Sequence, residues 1–262
     1  MCRIFSTSRA TGSVLLLSGV FLVASYSLAE SISAETMLEY SSLRLITGLG
    51  EKGYHDTSVV VLDKLRENKA ISNSFRMRIP LLRAIERVAG VRESSDWVRR
   101  KQAYDEARND LEHLLEEQQE QSLLADAAFQ LGMVSLDTGR LYKNAVTPEY
   151  KNSSEAHKFF VLAVEVFVGP RSGQTALKAF ENEIQVVEDN IHSYRKQRIA
   201  TSGDRRAITQ LEQRREILRG RKMQVQLLAA EAFSEMAECF EQNSEEWEQS
   251  LEHALNNIGR EP

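Results

Sequence analysis

Cysteine is nearly missing from this chain. There are two in 262 residues, and only Cys239 remains once the leader described below is removed. No intramolecular disulfide can then brace the fold, so stability must come from packing alone. Proline is also scarce, at 4, and aromatic residues make up 7%. From residue 34 onward no stretch alternates apolar and polar residues with β-branched enrichment, which excludes a sheet-built core. The spacings that carry chemistry are absent too: no H-E-x-x-H, no paired His and no Cys-His spacing occurs. No catalytic, cofactor or metal-ligating residue is therefore assigned, and an enzyme is not expected. A surplus of positive charge is likewise lacking. The formal net charge of -5 becomes -7 when Arg3 and Arg9 leave with the leader, so nothing global draws the chain to nucleic acid.

Residues 1–29 have the layout of a secretory signal. Arg3 and Arg9 precede the apolar run Val14 to Ala24, and Ser27-Leu28-Ala29 places small residues before Glu30. Cleavage is expected after Ala29, giving export to the periplasm or the medium. The alternative is an N-terminal membrane anchor, because the stretch from Gly12 to Ala29 approaches spanning length. Ser18, Gly19, Ser25 and Ser27 dilute it, and Cys2 precedes the apolar run, so no lipoprotein box is present.

Beyond the leader, apolar residues recur at three- and four-residue spacings, which predicts an all-α protein. Punctuation by Gly, Ser and Pro divides it into helices of about 34–49, 55–68, 73–89, 95–119, 122–138, 153–168, 173–200, 204–241 and 245–258. Gly48, Gly50 and Gly53 stop the first, Gly90 the third and Gly139 the fifth. Pro80 should kink the third or mark its true start, Gly220 leaves open whether the second long helix is one or two, and Gly139 to Asn152 reads as irregular. Ser72-Asn73-Ser74 and Ser94-Ser95-Asp96 offer caps at two helix starts. Residues 30–170 read as a region of about three helix pairs. Residues 171–262 read as a long helical hairpin followed by a C-terminal pair.

The second helices repeat a small-x-x-x-large-x-x unit: Ser58, Leu62, Leu65; Ala107, Leu111, Leu114; Ala156, Phe160, Ala163; and Ser250, Ala254, Asn257. The small residue lets a paired helix approach, and the residues four and seven further on share its face. The last gap is nearly double the 49-residue spacing of the others, which leaves room for a degenerate copy near Ala207 and Leu211. Phe233, Met236, Ala237 and Phe240 match the first-helix pattern of the tetratricopeptide repeat, with Ser250, Ala254 and Pro262 completing the copy. Leu131-Gly132 with Ala156, Phe160 and Ala163 match a second copy, and Leu45, Ile46, Leu49, Gly53, Ser58 and Leu62 a weaker third. The chain thus resembles a tetratricopeptide-repeat protein with stretched loops, its period near 49 exceeding the family's 34. The resemblance implies stacked antiparallel helical pairs in an α-solenoid that binds a protein or peptide in a groove. The groove positions it implies are Asp126, Phe129 and Met133 in one copy and Glu231, Ser234, Glu238 and Glu241 in another, an acidic lining suited to a basic peptide.

Formal motifs elsewhere have plain readings. Gly48-Leu49-Gly50-Glu51-Lys52-Gly53 spells G-x-G-x-x-G, but no βαβ unit surrounds it, so it is read as a helix-to-helix turn. Gly169 to Thr175 lacks the spacing and the Lys of a phosphate loop. His113 with Glu116 and Glu117 is read as a solvated helix face, and Cys239 as a packed helix residue. Asn152-Ser153-Ser154 is a glycosylation sequon.

Charge segregation is the remaining signal. Residues 192–222 carry ten Lys and Arg against three acids, while residues 223–262 carry nine Glu against Arg260. In an antiparallel hairpin the basic block, including Arg205, Arg206, Arg214 and Arg215, surrounds the tip. There it could meet anionic lipid, a polyanionic glycan or an acidic protein, or pair with an acidic segment of this chain or a neighbour. The expected function is an exported, non-enzymatic scaffold binding a protein or peptide through the repeats. The alternative is a coiled-coil-like structural or envelope-associated protein that self-associates through the long hairpin.

Overall fold

The computed structural model describes residues 34–117, 121–169, 175–196 and 202–259. The leader, with its anchor alternative, and Pro262 lie outside the described residues, as does most of the Gly169 to Thr175 motif. Among the described residues there is no strand, and no helix is long and apolar enough to cross a membrane. The elements are α1 (Ala34–Glu51), α2 (His55–Glu67), α3 (Asn73–Val91), α4 (Trp97–Glu117) and α5 (Gln121–Lys143). A 3-10 turn at Pro148–Tyr150 precedes α6 (Ser153–Phe167), followed by α7 (Ala176–Lys196), α8 (Ser202–Ala237) and α9 (Glu245–Gly259).

From α1 to α6 each helix packs on its successor in sequence, and α1 also meets α3 as α3 meets α5. After α6 the order changes. Beyond its main contact with α5, α6 packs on α8 and barely on α7, while α7 lies on both α5 and α8. α9 in turn packs on α8. α7 and the N-terminal part of α8 form an antiparallel hairpin. The N-terminal part of α8, which holds Ala207 and Leu211 in the doubled gap of the small-x-x-x-large unit, packs on α7.

The repeated unit marks the core of the second helices. Ser58, Ala107, Ala156 and Ser250 are all buried, as are Leu62, Leu111, Phe160 and Ala254. A smaller apolar cluster joins Ile46, Leu62, Leu65 and Phe75 across the first three helices. A larger one runs from Leu81 to Ala232 without a break at residue 170, so the hairpin shares the core of the third pair.

The helix stop expected at Gly139 is corrected, and Gly220 and Pro80 find their places inside helices. α5 runs through Gly139 to Lys143 because the missing Cβ is what admits α6: a Cβ at Gly139 would lie 2.4 Å from the Phe160 ring, and one at Gly132 would lie 2.4 Å from Phe167. α8 runs through Gly220, whose Cβ would meet nothing within 4 Å. The cost of glycine there is about 1 kcal/mol, which burial of Leu218 and Val225 on either side outweighs. α3 begins at Asn73 and passes through Pro80, held by buried Ile79 and Leu81. The segment after Lys143 is not shapeless: Trp97 stacks on Tyr150 at 4.4 Å, and its indole N–H donates to the Leu141 carbonyl at 3.2 Å. Ser72 caps α3 by accepting from the Phe75 N–H, and Asp96 caps α4 by accepting from Arg99.

The G-x-G-x-x-G string falls mostly inside α1. Only Gly53 has a left-handed backbone, at φ +77°, and its N–H donates to the Gly50 carbonyl at 2.9 Å. Gly53→Ala is expected to cost about 1 kcal/mol, since a Cβ is disfavoured in that region. Chemical denaturation would show it.

Candidate functional site

The implied groove positions Asp126, Phe129 and Met133 all lie on α5, on the face that α7 and α8 cover. Phe129 meets Phe180 of α7 with ring centroids 6.4 Å apart, and Met133 packs against the larger core. Asp126 forms an ion pair with Arg221 of α8. Further along, Arg140 pairs with Glu231 and donates from Nε to Glu235 at 2.9 Å. Lys143 donates to Glu235 at 2.5 Å and to Glu238 at 2.7 Å. Asp126–Arg221, Arg140–Glu235 and Lys143–Glu238 share one sequence separation, 95. α5 and α8 thus lie parallel in a fixed register, laced by opposite charges.

Most residues of the two implied sets therefore have partners elsewhere within this chain. Glu231 and Glu238 spend their charge on Arg140 and Lys143, Ser234 is half-buried, and Glu241 is exposed beyond the end of α8. Glu235 is the best held of the acids. Although burial alone would push it up, its hydrogen bonds from Lys143 and Arg140 bring the carboxyl below the ordinary Glu range.

Glu183 of α7 behaves in the opposite way. It is 8% exposed, and burial, reinforced by Asp126 across the α5–α7 contact, raises its carboxyl above the ordinary range in spite of Arg214 at 3.4 Å. Asp126 is raised for the same leading reason, against Arg221. A carboxyl with a raised folded-state pKa adds stability below its unfolded pKa and loses it as pH rises through the folded one. Glu183→Gln should therefore melt higher than the parent at neutral pH, the difference vanishing toward about pH 4. A parent that melts higher than the variant at neutral pH would contradict the assignment.

The basic block divides in the same way. Arg195 pairs with Glu212, Arg214 with Glu183, Arg215 with Glu216, Arg219 with Glu188 and Lys222 with Glu181. Arg205 and Arg206 are exposed, and among the described residues no acid stands within ion-pair distance of either. They border a shallow, open depression of about 370 Å³ with Thr209, Gln210 and Gln213.

Other residues singled out in the sequence take structural places. His113 lies on an exposed face beside Glu117, and no group of His, Cys, Asp and Glu able to hold a metal occurs among the described residues. Cys239 is half-buried, its thiol donates to the Glu235 carbonyl at 3.6 Å, and burial pushes its pKa up, so it is not an activated thiolate. Asn152 caps α6 by accepting from Glu155 at 3.0 Å. The seat of the hairpin on α5 has only one trace in the sequence, the apolar and acidic spacing Phe180-x-x-Glu183 opposite Asp126 and Phe129.

Compared with known proteins, the chain matches no family model, no curated protein and no solved structure.

Proposed function

We propose that this chain is an exported, non-enzymatic scaffold that binds another protein or peptide segment through stacked tetratricopeptide-like helix pairs, and that the partner seats on the apolar face of α1. One observation carries the placement. Met37, Leu38, Tyr40 and Leu45 are exposed on α1, Met37 at 61% and Leu45 at 52%. Clustered exposed apolar residues mark contact surfaces.

The reading is tested with a photo-crosslinking residue at position 37 or 45 of the full chain, exposed to its own envelope fraction. One discrete partner should crosslink there and not from position 227 on α8. Met37→Lys with Leu45→Lys should lose that partner while the unfolding free energy stays within about 0.5 kcal/mol, since both residues are exposed. Capture undiminished by the double change in a folded protein would overturn the proposal.

A further inference from the structure

Once the internal ion pairs are subtracted, the charge segregation of the sequence becomes two separated poles. At the hairpin tip the exposed cations without an ion-pair partner among the described residues are Lys196, Arg205 and Arg206. Within the acidic region, Glu231, Glu235 and Glu238 are consumed by α5. Glu241, Glu245, Glu246, Glu248 and Glu252 remain, all exposed, with no Lys or Arg within ion-pair distance among the described residues. Glu245, Glu248 and Glu252 form one stripe on α9 by their helical spacing.

One continuous helix holds these poles apart. The His253 ring, next to Glu252, stacks on Phe233 at 5.2 Å, which fixes the level of α9 along α8. From Arg205 to Phe233 is about 42 Å at 1.5 Å per helical residue. That is several times the screening length of about 8–10 Å at ordinary ionic strength. Within one chain the poles cannot neutralise each other.

We infer that copies of this chain associate head to tail, the basic hairpin tip of one docking on the acidic α9 face of the next. A second copy is the occupant by charge complementarity: the tip offers what α9 lacks and α9 offers what the tip lacks. The contact is heterologous, so it propagates or closes into a ring according to the rotation it imposes. Exposed charges on both sides make it weak and salt-dependent.

Sedimentation velocity of the purified full chain at low salt should show concentration-dependent association that weakens about tenfold or more as salt rises past several Debye-length reductions. Lys196→Glu with Arg205→Glu and Arg206→Glu should abolish it, and so should Glu245→Lys with Glu248→Lys and Glu252→Lys. Mixing the two reversed chains should restore association, because the reversed tip then faces the reversed α9. Reversal of Glu116 and Glu117, exposed on α4, should leave the parent association unchanged. A chain that stays monomeric at low salt overturns the inference. So does association that survives either reversal, or that is equally lost on changing α4. All of these changes are on exposed residues away from α1, so a failure here leaves the partner-binding reading untouched.

Discussion

Phe160→Ala is expected to lower the unfolding free energy by about 3–5 kcal/mol, the cost of deleting a fully buried aromatic ring. The ring is 0% exposed and packs into the notch left by Gly139. Gly139→Ala by itself should cost about 1–3 kcal/mol through overpacking, although alanine is the better helix former by about 1 kcal/mol. The two changes should be strongly coupled. With the Phe160 ring gone, the Cβ at 139 meets open space and only the helix-propensity gain is left, so Gly139→Ala becomes neutral or mildly stabilising in that background. A urea-denaturation double-mutant cycle measures the coupling. Additive costs would mean that α6 does not rest on α5 at this notch.

Phe180→Ala should be comparably severe, about 3–5 kcal/mol, for a different reason. Phe180 is 1% exposed and seats α7 against Phe129 of α5, so its loss unseats the hairpin. Because Val187, Ile191, Leu218 and Val225 belong to the same apolar cluster as α5 and α6, the protein should still unfold in one transition, with the denaturant slope of the parent. A variant whose hairpin melts separately, with a shallower main transition, would show the hairpin to be an appendage and not part of the core.

Much of the helical architecture was legible because it depends on local spacing. The positions of Ser58, Ala107, Ala156 and Ser250 in their periodic units announced close helix contacts, and each is buried. The cap residues Ser72 and Asp96 were readable for the same reason, since a cap acts within three residues. Glycine was misread where its tertiary role outweighed its local one. Gly139 looks like a helix stop by propensity, yet it is retained inside α5 because Phe160, 21 residues on, occupies the space its side chain would fill.

The neighbours of the implied binding positions were not legible, again for a physical reason. Nothing within α5 says that Phe180 of α7 and Arg221 of α8 reach Phe129 and Asp126. Likewise the sequence shows ten cations opposite a run of glutamates, but which of them pair depends on how α8 lies against α7 and α5. Only after that packing is known do Lys196, Arg205 and Arg206 separate from the paired cations among the described residues. The apolar exposure of Met37 and Leu45 was equally hidden, because a helical stripe reads the same whether a neighbour covers it or not.

The central claim is that the hairpin of α7 and α8 fills the face of α5 and leaves the ends of the molecule to make contacts. Native-state hydrogen exchange tests it most directly. If the claim holds, amides of 176–191 and 218–237 exchange in the same slow, cooperative class as those of α5 and α6, while the tip around 202–210 exchanges faster. If instead 176–230 opens as an independent fast unit while α5 stays protected, α5 has an open face after all and the account fails.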